Sequence, residues 1–288
     1  MPIKTILLPL RESDMSEHML DSAMHIAAQH NAHLDVFYVH PKTSDMLPFA
    51  NMGLSRSLRT TVLESAARAS ADQAARLKVL FEQACKKHGL PHRTRGQYDG
   101  TVGADWREAS GVRSVEVANR GRLADLMLTP KPERSDPPPK TFEALLRDTA
   151  RPLLMVPRGR AIDNAISSHV MIAWNGSSEA GSALSASRPL LRAAAKVTVL
   201  TSTKREHQLS NGNDVVEYLR CHGIDAQCDV IDMGTRHVGE CIINHCKKQD
   251  VELLVSGGYS RTRVQEIFLG GVTRYLIREA HIPVFMVH

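Results

Sequence analysis

Val170-Met171-Ile172-Ala173-Trp174 is an apolar run, and it is followed by the polar turn Asn175-Gly176-Ser177-Ser178, a helical spacing through Ala183, Leu184 and Leu190, and a second apolar run, Val197-Thr198-Val199-Leu200. That order reads as strand, loop, helix, strand. The same order stands near the amino terminus. There Lys4 to Leu10 is β-branched and Leu-rich, Glu12-Ser13-Asp14 is polar, and Met19, Leu20, Ala23, Ile26 and Ala27 keep helical spacing before Leu34-Asp35-Val36-Phe37-Tyr38-Val39. The chain therefore opens twice with one supersecondary unit.

The halves also finish alike. Ala124-Asp125-Leu126-Met127-Leu128 and Val251-Glu252-Leu253-Leu254-Val255 each lead through a helix to a terminal strand, Arg151 to Pro157 in one half and His281 to Val287 in the other. The offset between halves falls from 164 at the first strand to 131 at the last, so the first half carries 33 additional residues, placed between Pro41 and Lys87. Within that insertion Thr43-Ser44-Asp45-Met46-Leu47-Pro48 reads as a loop. Residues 55–87 are Ala-rich and free of Gly and Pro, which predicts one long helix, either a lid or partner surface or a longer crossover packed on the sheet.

Short apolar strands alternating with helices predict parallel sheets covered on both faces. The expected fold class is α/β, with two tandem doubly wound domains over residues 1–160 and 161–288, joined by the linker Gly159-Arg160-Ala161-Ile162-Asp163-Asn164. In such sheets ligands sit beyond the carboxyl ends of the strands, where the strand order reverses. The residues that follow strands are therefore the candidates for a site.

Composition bounds the function. Of 288 residues, 42% are hydrophobic and 23% charged, as in an ordered soluble domain. The net charge of +5 lies wholly in residues 1–160, with 23 Lys/Arg against 18 Asp/Glu, while residues 161–288 balance 13 against 13. No run of five or six like charges occurs and aromatics do not interleave with basic residues, which argues against nucleic acid as a partner. The apolar run at the amino terminus is broken by Pro9, too short for a signal-peptide core or a membrane span. Five cysteines without a CxxC pair read as reduced thiols of the cytoplasm.

After the strand Glu252 to Ser256 comes Gly257-Gly258-Tyr259-Ser260, and nine residues after Ser260 come Gly270-Gly271-Val272-Thr273-Arg274 before an apolar-periodic helix and Pro283-Val284. Glycines allow sharp turns and close approach, and free amides at a helix start favour an anion. This frame resembles the universal stress protein family, whose domains end with Gly, two residues, Gly, nine residues, Gly, then Ser or Thr, before a Pro-Val strand. The resemblance covers essentially the whole chain as two tandem copies. It implies a flavodoxin-like or adenine-nucleotide α-hydrolase-like fold, with terminal strands pairing across an approximate twofold axis, so that one chain forms an internal pseudo-dimer. Further association into a homodimer would use other surfaces, such as the helix within residues 55–87.

The resemblance further implies an adenine nucleotide, ATP or AMP, in the second half. Asn175 and Ser202 would lie near the adenosine with Ala173 and Trp174, and Gly257, Gly258, Ser260, Gly270, Gly271, Val272 and Thr273 near the ribose and phosphates. Three positions depart from the family pattern. Ser260 replaces its second glycine, Gly271 replaces the closing Ser/Thr, and neutral Asn175 stands where an acid is usual. Ser177 is expected to cap a helix. In the first half Arg11 takes the acid's place, Thr129-Pro130-Lys131-Pro132 and Pro137-Pro138-Pro139 replace the glycine turns, and Arg147-Asp148 replaces the Gly-Ser pair. Proline fixes φ and lacks an amide donor, so this half is expected to be a degenerate structural copy.

Other chemistry is weaker. His237, Cys241 and His245 fall at i, i+4 and i+8, where i+8 spans about 12 Å of helix, too far for one zinc ion without a bend. Cys246 lies beside them, and a two-residue site could be completed by Cys221 or Cys228; packing along Val238, Cys241, Ile242 and His245 is the favoured alternative, and no metal is expected. Ser256-Gly257-Gly258 lacks the flanking glycine of a nucleophile elbow, although Glu266 or His281 could be nominated as partners. The expected function is a stress-associated binding or signalling protein, not an enzyme; the alternatives are a ligand-free interaction protein of the same fold and a weak ATPase.

Overall fold

The computed structural model describes residues 2–42, 56–133, 138–159, 161–203, 211–232, 234–258 and 271–288. The first half runs β1 (Thr5–Pro9), α1 (Ser16–His30), β2 (His33–Pro41), α2 (Arg56–His88), β3 (Gly103–Gly111), α3 (Arg113–Gly121), β4 (Leu126–Pro130), α4 (Lys140–Arg147) and β5 (Leu153–Val156). The second runs β6 (His169–Ala173), α5 (Ser178–Ala193), β7 (Lys196–Ser202), α6 (Gly212–Cys221), β8 (Gln227–Ile231), α7 (Val238–Lys248), β9 (Leu253–Gly257), α8 (Gly271–Glu279) and β10 (Val284–Val287).

All ten strands form one sheet in the order β3-β2-β1-β4-β5-β10-β9-β6-β7-β8. Every pairing is parallel except the central one, where Val284, Phe285 and Met286 face Met155, Leu154 and Leu153 in antiparallel register. Each half alone would expose β5 or β10 as a wholly apolar edge. Their mutual pairing removes both edges, so the chain is the internal pseudo-dimer that the resemblance implied.

Alternation explains why the strands read as unbroken apolar runs. Ile6 and Leu8 enter the core on one face of the sheet while Leu7 enters the other; Val170 and Ile172 divide from Met171 in the same way, as do Leu253 and Val255 from Leu254. Helices α1, α2, α5 and α6 cover the first face through residues such as Met19, Phe81, Leu184 and Leu219. Helices α3, α4, α7 and α8 cover the second through Val117, Leu145, Ile242 and Leu276. Both faces of every central strand are therefore dry.

The helix expected over residues 55–87 runs Arg56–His88, about 50 Å at 1.5 Å per residue. Ser70, Ala74, Leu77, Phe81 and Ala84 form its buried stripe, and Tyr38 Oη donates to Gln73 Oε1 at 2.7 Å. It is thus a crossover helix packed on β2 and α1 through its carboxyl-terminal part, while Leu58 and Val62 near its start are exposed. The loop Thr43 to Pro48 and linker residue Arg160 lie outside the described residues. No helix among the described residues is long and apolar enough to cross a membrane.

Candidate functional site

In the second half the strand order reverses at β6, which lies between β9 and β7. Ala173 is in register with Ser256 on one side and Leu200 on the other, and the Trp174 N–H donates to the Leu200 carbonyl at 2.9 Å. Trp174 and Gly257 are thereby brought to the carboxyl edge of the sheet, side by side at the strand reversal. Ser202 ends β7 opposite Ile231, half-buried at the same edge.

The turn after β6 is organised by its own side chains. Gly176 takes φ +73°, a conformation that costs glycine nothing. Exposed Asn175 accepts the Ser177 N–H on Oδ1 at 3.0 Å, and Ser177 Oγ accepts the Ala180 N–H at 3.2 Å, capping α5 as expected. Asn175 thus holds the turn through its oxygen, and its Nδ2 makes no hydrogen bond among the described residues.

The two glycines after β9 differ. A Cβ on Gly257 would sit 2.7 Å from the Ala180 nitrogen and 2.9 Å from the Glu179 carbonyl carbon, so glycine here lets β9 touch the backbone of α5. Gly258 donates its N–H to the Val287 carbonyl at 2.7 Å and accepts from His288 Nδ1 at 3.2 Å, with Leu146 of α4 beside it. Gly271 opens α8. The side chain of Val272 is partly buried against the core and that of Thr273 is buried, while Gly271 is exposed. Ser260 and Gly270 lie outside the described residues.

His237, considered above as a metal ligand, has another place. It caps α7, its Nδ1 accepting the Gly239 N–H at 3.2 Å, so the ring proton sits on Nε2. The ring stacks on Tyr275 of α8 with centroids 4.9 Å apart, and its Nε2 lies 3.4 Å from where a Cβ of Gly271 would be. His237 thus joins the starts of α7 and α8 and brings a ring donor to the glycine that opens α8. A histidine two residues before a glycine carries no sequence signal of this role.

The remaining zinc candidates are engaged in the fold. His245 Nε2 meets Asp229 Oδ2 at 3.0 Å, Cys241 is buried, and Cys246 lies against Met171 with burial pushing its thiol up to about 12. Ser256, the nominated nucleophile, is buried with its hydroxyl donating to the Gly257 carbonyl at 3.0 Å. One cluster of three ligand-type groups occurs among the described residues, His33, Asp35 and Asp105, and Arg120 and Arg107 already reach its carboxylates at 2.9 and 3.1 Å. Guanidinium groups thus occupy the cation's role there.

The first half repeats the switch point at β1, between β2 and β4, and the Leu10 N–H donates to the Phe37 carbonyl at 2.9 Å as Trp174 does to Leu200. Beyond it the glycine frame is absent. Pro9, Pro130, Pro132 and Pro139 wall a cavity of about 270 Å³ instead.

Two doubly wound halves, each with its strand order reversing at its first strand, define the flavodoxin-like, adenine-nucleotide α-hydrolase-like class of fold. A family model described as "Universal stress protein family" matches residues 2–128 and 202–288, and the chain belongs to that family. A universal stress protein of Archaeoglobus fulgidus superposes with a TM-score of 0.70 at 16% identity, covering 98% of this chain and 97% of its own. A functionally unknown protein of Pseudomonas aeruginosa follows at TM-score 0.58 and 13% identity, covering 99% and 92%. Among curated proteins none matches.

Proposed function

We propose that the chain is a stress-associated binding or signalling protein of two domains, residues 1–160 and 161–288, whose second domain binds an adenine nucleotide, ATP or AMP, beyond the carboxyl ends of β6 and β9. One observation carries the reading: the Asn175-Gly176-Ser177 turn opens α5 beside Gly257 at the strand reversal, with the start of α8 close by through His237. Asn175 Nδ2 is available to a base or ribose, and the main-chain amides at the start of α8 favour phosphate. Asn175, Ser177 and Ser202 are neutral and no general base stands among them, which favours binding over turnover. The free thiols suit a reducing, cytoplasmic setting.

The test is thermal unfolding with and without millimolar ATP. A ligand that binds the folded state raises the melting temperature by the linkage relation RT ln(1 + [L]/Kd). A rise that Asn175→Ala diminishes supports the reading. No rise, together with a co-crystal lacking nucleotide density, overturns it in favour of a ligand-free interaction protein, and phosphate release above buffer would make the chain an ATPase.

A further inference from the structure

We propose that the first half is not merely a degenerate copy but holds a second site, a pocket for a small organic carboxylate with an apolar body, at the carboxyl ends of β1 and β4. The cavity of about 270 Å³ there is just below the range of about 300–1,000 Å³ usual for small-molecule sites, which suits a small ligand. Its walls come from five separate segments. Met15, which precedes α1, and Met19 within it line the cavity together with Phe142 and Leu145 of α4, and Arg11, Arg113, Lys131 and Arg158 supply positive charge.

One of those charges stands apart from the others. Arg158 is paired with Asp14 and Glu133, each at 2.7 Å, and Lys131 Nζ donates to the Ala280 carbonyl at 2.7 Å. Arg11 is exposed at the rim. Arg113 donates one bond, from Nη2 to the Leu10 carbonyl at 3.1 Å, and no carboxylate among the described residues pairs with it. Burial, then the like charge of Arg11, pull its pKa down to about 10. A desolvated guanidinium without an anion is costly, and a carboxylate matches its planar fork with two parallel hydrogen bonds.

The same walls disfavour a nucleotide. Arg11 follows β1 where Asn175 follows β6, and Pro130, Pro132 and Pro139 offer no amide to a phosphate chain. What remains for recognition is the Arg113 guanidinium together with the hydrocarbon of Met15, Met19, Phe142 and Leu145. A short alkyl chain or single ring fills the apolar part, and its carboxylate meets Arg113.

Calorimetric titration of the full chain with octanoate, octanamide and AMP tests this. Octanoate is expected to saturate one site per chain, and octanamide to bind at least about tenfold more weakly, since a hydrogen bond to a charged partner is worth that much. Arg113→Met is expected to abolish the preference for the acid while leaving AMP binding unchanged. Absence of saturable octanoate binding, equal affinity for octanamide, or octanoate affinity unchanged in a folded Arg113→Met chain each overturns the proposal. The comparison of acid with amide uses the unaltered protein, so it stands even if the variant does not fold.

Discussion

Phe285 of β10 lies directly opposite Leu154 of β5, antiparallel and with both side chains fully buried, in a sheet that is otherwise parallel. This seam turns two five-stranded sheets into one of ten. Phe285→Ala removes a large side chain from that seam, and the expected loss is about 3–5 kcal/mol. Denaturant unfolding measures it, with light scattering on the same sample. Because the pairing is internal, stability falls without a change in solution mass; a change confined to self-association would place the pairing between chains.

Adjacent glycines at the end of β9 are expected to respond unequally. Gly257→Ala forces a Cβ into the backbone of α5 and costs about 1–3 kcal/mol. Among the described residues, Gly258→Ala meets Leu146 and the Val287 carbonyl first, at ordinary separations starting at 3.4 Å, and costs less than about 1 kcal/mol. Melting temperatures of the two variants, measured side by side, check the order.

Buried Asp35 gives an acid limb to stability. Its burial alone would raise its pKa, but the hydrogen bond from His33 and the charges of Arg120 and Arg95 hold it below the ordinary value. The unfolded chain therefore binds a proton first, near the usual pKa of about 3.9, and stability from this group is present above that pH and lost as pH falls toward the folded value. Asp35→Asn should flatten that limb in urea unfolding between pH 5 and about pH 2. At pH 7 it should also cost about 3–5 kcal/mol, because Arg120 loses its partner.

Thiol labelling should be graded. Burial pushes Cys85 up to about 11 and Cys246 up to about 12, whereas Cys221 is exposed at the end of α6. Iodoacetamide at pH 8 should modify Cys221 in the native protein and reach Cys85 and Cys246 only after denaturation, as peptide mass spectrometry would show. Equal labelling of all three in the native chain would contradict this packing.

The strands legible in the sequence were those buried on both faces, because Ile6-Leu7-Leu8 and Val170-Met171-Ile172 stay apolar whichever way alternate side chains point. Strands β3 and β8 were not, since they are the outer edges of the sheet. Trp106-Arg107-Glu108 and Gln227-Cys228-Asp229 mix charge with apolar residues as half-wet strands do. The Ser177 cap was legible because a cap is local. The cap by His237, the contact of Gly257 with Ala180 and the cavity around Arg113 were not, because each depends on segments that only the fold brings together.

The antiparallel seam has a mechanical consequence. It directs the carboxyl ends of the two halves toward opposite rims of the sheet, yet α4 reaches both. Phe142 and Leu145 wall the first-half cavity, and the next residue, Leu146, rests against Gly258 at the loop of the second half. One short helix is therefore a strut between the two rims, lining the cavity of the first half and touching Gly258 of the second.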